Sequence, residues 1–276
     1  MSRTKVDRRG EPPPPPEPLA VAVMDSHAHL DIMGVDVDEA LAAARSVGIG
    51  TVVQVGVDVA SSRWGAQLAA TRADVHAAVA LHPNEAGLGH ATDEALREIE
   101  ALAALPQVLA VGETGLDHYR TESADGHRLQ EVSFRAHIAI AKRTGTTLVI
   151  HDRDAHEDVV RVLRDEGAPD RVVFHCFSGG PDLARTCAEH GWYASFAGPV
   201  TFTANGALRE AAALLPRELL LVETDAPFLT PTPFRGRPNA PYLVPLTVRS
   251  LAQTTRSDLD ALCGQIAANG LRAFSL

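Results

Sequence analysis

Side chains that bind divalent metal ions recur at the carboxyl ends of short apolar runs in this chain. The first run leads into His27 and His29, and alternate residues of an extended segment point to the same side, so both imidazoles can reach one ion. Other runs end at or near single residues of the same kind, namely Glu113, His151, His175 and Asp225. Imidazole nitrogens and carboxylate oxygens together suit Zn²⁺, Mn²⁺ and similar ions. The pattern predicts a metal centre assembled from distant parts of the chain.

These four histidines and two carboxylates are more ligands than one open catalytic metal site usually takes, which favours a centre with two ions. Two ions about 3.5–4 Å apart can polarise a phosphoryl or carbonyl oxygen, generate hydroxide at neutral pH and stabilise a leaving oxygen. Glu113 lies between two glycines and is the candidate bridge between the ions. Asp225 is the candidate base for the attacking water. We therefore expect a hydrolase that uses Mg²⁺, Mn²⁺ or Zn²⁺.

The elements that must position these residues alternate between apolar runs and segments of helical period. The apolar runs are Ala20–Asp25, Thr51–Gly56, Val75–His82, Val108–Glu113, Thr147–His151, Val172–His175, Trp192–Ala197 and Leu219–Asp225. The predicted helices are Val37–Val47, Thr92–Leu105, Gln130–Arg143, Ala155–Glu166, Ala204–Leu214 and Asp258–Phe274, with Asp36 and Thr92 as N-caps and Gly48 and Gly145 as C-caps. This alternation predicts a single α/β domain, a (β/α)8 TIM-type barrel, with an open doubly wound sheet as the alternative. No glycine-rich nucleotide-binding pattern follows the first run, which weakens that alternative.

Composition and charge limit the classes of protein that this chain can belong to. Its 276 residues are 45% hydrophobic and 22% charged, which is typical of a folded globular domain. The formal net charge of −10 disfavours a protein that coats nucleic acid non-specifically. We find neither a membrane-spanning apolar stretch nor a targeting segment, and expect no membrane partner. The three cysteines include no C-x-x-C pair, so we expect reduced thiols and a cytoplasmic protein. We also expect the protein to be a monomer.

The first 19 residues differ in composition from the rest of the chain. Basic residues are followed by a proline run from Pro12 to Pro16, which is typical of disorder leading into a stiff polyproline segment. We place the domain boundary between residues 1–19 and 20–276 and interpret residues 1–19 as a spacer. The alternative is a ligand for another domain.

Basic and aromatic residues follow several of the strands and are candidates for substrate contact. They are Tyr119-Arg120, Arg153, and Phe234 to Arg237. Arginine can hold a phosphate through two hydrogen bonds, and aromatic rings can stack on exposed bases, so a phosphodiester substrate is reasonable. The alternative is that these are solvated loop residues. His82, after the third run, is either a substrate contact or a structural residue.

Five ordered blocks of the sequence resemble the TatD family of metal-dependent deoxyribonucleases, within the wider group of amidohydrolase-like barrels. The resemblance extends from about Met24 to the C-terminus. The blocks are Asp25-Ser26-His27-Ala28-His29-Leu30-Asp31, Gly112-Glu113-Thr114-Gly115-Leu116-Asp117, Val149-Ile150-His151-Asp152-Arg153-Asp154-Ala155, Phe174-His175-Cys176-Phe177-Ser178-Gly179 and Glu223-Thr224-Asp225-Ala226-Pro227-Phe228-Leu229. The loop from Thr230 to Arg237 is similar to the family's loop after the last strand.

The resemblance implies a TIM-type barrel with a divalent-metal site. It also implies nuclease activity that trims single-stranded DNA from the 3′ end. It implies His27, His29, Glu113, His151, His175 and Asp225 as ligands, with Glu113 shared, and His82 and Arg153 as residues on the phosphate side. The sequence departs from the family where Asn84 replaces a more usual second histidine, at Asp152, and at Arg237-Pro238-Asn239.

We expect a 3′–5′ exonuclease that acts on single-stranded DNA ends in repair or degradation. Two alternatives stay open at this point. One is a hydrolase of a small amide, ester or lactone on the same metal centre. The other is a binding protein that keeps the barrel without activity, and the retention of costly polar residues at strand ends argues against it.

Overall fold

The computed structural model describes residues 10–276, which form a parallel barrel. Its 8-stranded sheet has the strands in sequence order. They are β1 (Val23–Ala28), β2 (Ile49–Val55), β3 (Val75–Val79), β4 (Val108–Asp117), β5 (Thr147–Arg153), β6 (Val172–Phe174), β7 (Tyr193–Phe196) and β8 (Leu220–Val222). A bridge between Ala28 and Ala226 joins the first and last strands beyond the end of β8. The predicted TIM-type barrel is confirmed, and the open-sheet alternative is excluded.

Helices connect the strands and cover the outside of the barrel. They are α1 (Val37–Ser46), α2 (Val59–Ala70), α3 (Pro83–Gly87), α4 (Asp93–Ala103), α5 (Ala124–Thr144), α6 (His156–Glu166), α7 (Pro181–His190), α8 (Gly206–Leu214), α9 (Val244–Thr254) and α10 (Leu259–Phe274). Short 3-10 helices span Leu30–Ile32, Gly198–Thr201, Arg217–Leu219 and Pro241–Leu243. No helix of residues 10–276 is both long enough and apolar enough to cross a membrane.

Four helices were not predicted from the sequence: α2, α3, α7 and α9. Helix α2 buries small residues such as Ser62, Gly65 and Ala66, so its buried face lacks the large apolar side chains that reveal a helical period. A Cβ on Gly65 would lie 3.0 Å from Cγ of Gln54, which explains why this face is small. Helix α5 begins at Ala124, six positions before the predicted Gln130, because Ser123 caps it by accepting the N–H of Gly126.

The predicted caps are largely confirmed. Asp36 accepts the N–H groups of Asp38 and Glu39, and the Thr92 side chain accepts that of Ala95. Gly145 caps α5 in the left-handed conformation. Gly48 is not the C-cap residue of α1, since that position is Val47. Gly48 follows it with a φ of +87°, and a Cβ there would lie 2.8 Å from the carbonyl oxygen of Leu19.

Apolar side chains fill the interior of the barrel at its amino-terminal end. Its cluster contains Met24, Val53, Val55, Ala78, Ala110, Val149, Val173 and Leu221, closed by Ala273 and Phe274 of the last helix. Alternation along β2 places Val53 and Val55 inside and Val52 against the helices. The packed layers leave only the carboxyl end of the barrel for polar side chains, which is where a TIM barrel holds its active site.

Part of the proline-rich segment lies against the barrel. Residues 1–9 of the predicted disordered tail lie outside the described residues. From Gly10 onward, Arg237 donates to the carbonyl oxygens of Glu11 (2.7 Å) and Pro12 (2.8 Å), and Tyr242 donates to that of Pro13 (2.6 Å). The polyproline backbone has no internal hydrogen bonds, so its carbonyls are available as acceptors. Residues 10–19 are therefore held on the barrel rather than disordered, whereas the domain boundary at residue 20 stays a prediction.

Candidate metal centre

The first strand delivers two buried histidines to the carboxyl end of the barrel. His27 lies in β1, and His29 is the first residue after this strand. Nδ1 of His29 donates to the carbonyl oxygen of Val55 (3.0 Å), because a carbonyl can only accept, and this leaves Nε2 free to bind an ion. His27 is 0% exposed, yet neither of its ring nitrogens has a hydrogen-bond partner. Buried polar atoms without partners are costly, and a bound cation would satisfy them.

Glu113 lies between two groups of nitrogen atoms and faces each with a different oxygen. Its Oε1 is 3.3 Å from Nε2 of His29 and 3.6 Å from Nε2 of His27. Its Oε2 is 2.9 Å from Nε2 of His175 and 3.1 Å from Nδ1 of His151. One carboxylate therefore connects two separate clusters of ligand atoms.

Asp225 completes the first of these clusters. Its Oδ1 is 3.4 Å from Nε2 of His29 and 3.7 Å from Nε2 of His27. Because β8 ends at Val222, Asp225 lies in the following loop, where its φ of 55° is in the left-handed region that Asp tolerates better than most residues. Its side chain is 13% exposed, against 4% or less for His27, His29 and Glu113, so of these four it has the best access to solvent.

The second cluster combines Glu113 with one histidine from each of two neighbouring strands. His151 lies within β5, and His175 directly follows β6. Nε2 of His175 is 3.3 Å from Nδ1 of His151, and both nitrogens face Oε2 of Glu113. His175 also stacks on His27 with 3.9 Å between ring centroids, which brings the two clusters into contact. All six predicted ligand residues therefore meet in one place.

Opposite charges in this cluster raise the pKa values of His29, His151 and His175 and lower that of Glu113. Burial opposes a charge on His29, but hydrogen bonds to Asp225 and Glu113 raise its pKa to about 9. Burial likewise opposes ionisation of Glu113. Attraction to the imidazoles of His82 and His175 when these are protonated, and hydrogen bonds from His151 and His175, nevertheless hold the pKa of Glu113 well below the usual range. Carboxylates that stabilise protonated imidazoles in this way are suited to bind a divalent ion, with release of the protons.

His82 differs from the six predicted ligand residues in its hydrogen bonding. It lies three residues beyond the end of β3 and is the N-cap of α3. Its Nδ1 accepts the backbone N–H of Asn84 (3.0 Å), and burial lowers its pKa to about 3. The ring is then neutral with its proton on Nε2, which lies 3.6 Å from Oε2 of Glu113. Although His82, Glu113 and His151 are close enough together to hold an ion, Nε2 of His82 is a hydrogen-bond donor.

Arginine side chains at the mouth lie over aromatic rings. The guanidinium of Arg153, at the end of β5, is 4.0 Å from the centre of the exposed Tyr119 ring. Within residues 10–276 this guanidinium has no carboxylate partner, so it is available to an anion. Arg235 lies over Phe202 at 4.1 Å. Arg237, in contrast, is occupied by the carbonyls of the proline-rich segment.

Two buried carboxylates at the site were not recognised in the sequence as functional residues. Oδ2 of Asp117 lies 3.3 Å from Nε2 of His151, and Oε1 of Glu223 lies 3.3 Å from Nδ1 of His175. Asp117 follows Glu113 by four residues in β4, and Glu223 is two residues from Asp225. Even spacing from a proposed ligand was the available signal, since alternate residues of a predicted strand share a face. In the structure this relation holds within β4 only, because β8 ends at Val222, before Glu223 and Asp225.

The comparison with protein families agrees with this geometry. The model of the family described as TatD related DNase matches residues 24–275. The chain belongs to the TatD family. A Mycobacterium tuberculosis protein named as an uncharacterized metal-dependent hydrolase TatD is 47% identical over 236 residues, which cover 84% of this chain and 89% of that protein. This chain is accordingly a metal-dependent hydrolase, as the sequence blocks predicted.

Other TatD relatives cover almost the same range. A Citrobacter rodentium protein named 3′-5′ ssDNA/RNA exonuclease TatD is 33% identical over 247 residues, covering 87% of this chain and 92% of its own. Among solved structures, YjjV, a TatD homologue from Escherichia coli K12, superposes with a TM-score of 0.85 at 26% identity, covering 92% of this chain and 98% of that one. An Entamoeba histolytica TatD-family hydrolase, with a TM-score of 0.80 at 17% identity, shares the fold and covers 93% and 99% of the two chains.

Proposed function

We propose that this TatD-family hydrolase is a deoxyribonuclease that trims single-stranded DNA from the 3′ end with a centre of two divalent ions. The observation that carries the two-ion proposal is the arrangement of Glu113, whose two oxygens face different clusters of imidazole nitrogens. A single ion would need only one of these two oxygens. The printed name of the Citrobacter rodentium relative supports the choice of single-stranded nucleic acid as substrate.

In this proposal each cluster holds one ion. His27, His29 and Asp225 serve the first position, His151 and His175 serve the second, and Glu113 is shared. Mixed nitrogen and oxygen donors suit Zn²⁺ or Mn²⁺, and Mg²⁺ is the third candidate. Bound ions of this kind polarise a phosphoryl oxygen and lower the pKa of water towards neutrality.

The remaining steps fall to side chains of the chain itself. In this proposal Asp225 accepts the proton of the attacking water, and its solvent access and its position inside the first cluster support that role. As the new P–O bond forms, the bridging P–O bond of the last nucleotide breaks and its oxygen takes up a proton. His82 can donate from Nε2 to a phosphoryl oxygen, and Arg153 can bind the neighbouring phosphate.

We further propose that the enzyme acts in the cytoplasm, as a monomer, in DNA repair or degradation. All three cysteines are free thiols, which fits a reducing compartment. Light scattering of the purified protein tests the monomer.

The deciding experiment follows single-stranded DNA labelled at either the 5′ or the 3′ end. Wild type is compared in Mg²⁺, Mn²⁺ or Zn²⁺, with chelator, and beside Asp225→Asn. We expect a metal-dependent ladder from the 5′ label, immediate release of the 3′ label, and loss of both in the variant. Intact DNA in every lane, with metal analysis still finding bound ions, would contradict the nuclease proposal and favour a small amide or ester as substrate.

A further inference from the structure

We propose that Asp117 and Glu223 are positioning residues that fix the ring tautomers of His151 and His175, so that one histidine presents Nδ1 and the other Nε2 to the second ion. The inference rests on the metal centre of the proposed function, but it does not depend on the substrate. It concerns two residues outside the ligand set itself.

Asp117 is held rigidly behind His151. The residue is 1% exposed. Its Oδ1 accepts the N–H of Arg120 (2.8 Å), and its own N–H donates to Oε1 of Gln130 (3.0 Å), so its other oxygen, Oδ2, has a fixed position. This oxygen lies 3.3 Å from Nε2 of His151. A carboxylate can only accept there, so Nε2 donates to Asp117. An ion held between Nδ1 and Glu113, 3.1 Å apart, would take the place of the proton on Nδ1 and leave the ring neutral with its proton on Nε2.

Glu223 imposes the opposite tautomer on His175. It is 0% exposed, and its Oε1 accepts the N–H of Cys176 (2.7 Å), which fixes the carboxylate in place. The same oxygen is 3.3 Å from Nδ1 of His175, so the proton lies on Nδ1 and Nε2 faces Glu113. Free neutral histidine prefers the proton on Nε2. Glu223 therefore stabilises the less favoured form, and its loss should weaken the site more than the loss of Asp117.

An alternative for Glu223 is that it binds an ion directly. Atoms of His27, His175 and Glu223 lie within 4.8 Å of one another, and Oε2 of Glu223 has no hydrogen-bond partner. However, Oε1 of Glu223 already faces Nδ1 of His175 and accepts the N–H of Cys176. The hydrogen bonds favour a carboxylate that orients a ligand, an arrangement common behind metal-bound histidines.

The test measures binding of Zn²⁺ and Mn²⁺ to the full-length protein without substrate, by calorimetry and metal analysis. The variants are Asp117→Asn and Glu223→Gln, which keep an oxygen acceptor but remove the charge. We expect two ions in wild type and a 10- to 100-fold weaker second ion in the variants, with the larger effect in Glu223→Gln. The matched control is Asp152→Asn, because this buried Asp bonds Nδ1 of His156 (2.7 Å), which is not a proposed ligand.

Tautomers are read separately, from long-range proton–nitrogen NMR correlations of the histidine rings in the zinc-loaded protein. We expect His151 protonated on Nε2 and His175 on Nδ1 in wild type, with the His175 signal altered in Glu223→Gln. Unchanged affinity for both ions in both variants would overturn the inference, as would the same tautomer at both histidines. Three ions in wild type and two in Glu223→Gln would make Glu223 a ligand instead. A wild type that binds ions as expected but leaves DNA intact would reject only the nuclease proposal.

Discussion

The backbone N–H of Asn84 donates a hydrogen bond of 3.0 Å to Nδ1 of His82. Because Nδ1 accepts this bond with its lone pair, the proton of the neutral ring lies on Nε2. The ring therefore faces the metal centre as a hydrogen-bond donor. Asn84 was singled out in the sequence because the TatD family more often has a histidine there. Only its backbone takes part in this hydrogen bond.

Replacement of His82 by alanine should slow hydrolysis without releasing metal. We expect kcat/KM to fall about 100-fold, the low end for loss of a donor to developing charge, while metal analysis finds the wild-type number of ions. His76→Ala is the control, since this half-buried histidine lies in β3 away from the clusters. Loss of one ion from His82→Ala would instead identify His82 as a ligand.

Asp225→Asn tests the proton acceptor. We expect the rate on DNA to fall at least about 100-fold, because an amide cannot accept the proton of the attacking water. Asp154→Asn is a matched control, since Asp154 is exposed and has the same φ of 55° as Asp225. An unchanged rate for Asp225→Asn would leave this residue with a structural role only.

Glu113→Ala tests the shared carboxylate. We expect it to abolish metal-dependent hydrolysis and to lower the affinity for both ions, because each cluster loses an oxygen, while circular dichroism shows an intact barrel. Glu122→Ala, in an exposed loop position, is the control. Wild-type turnover by Glu113→Ala would remove this residue from the site.

Deletion of residues 1–18 should destabilise the barrel. The deletion removes the acceptors of Arg237, Tyr242 and Arg249, and four lost hydrogen bonds at about 1 kcal/mol each predict a loss of roughly 4 kcal/mol in the free energy of unfolding. The control is deletion of residues 1–9, which keeps these contacts. We expect activity on short oligonucleotides to persist, as anticipated for a spacer. Equal unfolding midpoints in urea for the two truncations would contradict the structural role.

His137 predicts a specific pH dependence of stability. Burial lowers its pKa to about 4, and its Nε2 accepts the N–H of Leu81 (3.1 Å), so the native state holds it neutral. Between pH 6.5 and 4 the unfolded chain binds a proton that the native state does not, and stability is therefore lost as the pH falls through this range.

The measurement compares wild type with His137→Gln by urea unfolding in chelator at pH 7.5 and pH 5. We expect the stability of wild type relative to the variant to fall by about 2 kcal/mol over this interval. Both proteins retain the histidines of the metal centre, so their titration cancels to first order. If the difference in stability between wild type and His137→Gln does not change with pH, His137 titrates alike in the native and unfolded states, which would contradict the prediction.

The residue types and their order along the chain were sufficient to predict the barrel and the proposed ligands. Parallel strands that are apolar on both faces require helices between them, and in a barrel all their carboxyl ends lie on one rim. Residues as distant as His27, Glu113 and Asp225 could therefore be placed together without coordinates. Helix α2 escaped prediction because its buried face is made of small residues, whose packing depends on the strand beneath it.

Only the tertiary structure decided how individual atoms face the centre. The sequence does not reveal that His151 turns Nδ1 and His175 turns Nε2 towards Glu113, because this depends on acceptors 34 and 48 residues away along the chain. Likewise, the proline run predicted a stiff segment, but its position on the barrel depends on Arg237, 226 residues beyond Glu11. Composition and periodicity determine which elements form. Hydrogen bonds are directional over about 3 Å, so the partner of each polar atom is fixed only when distant elements have packed.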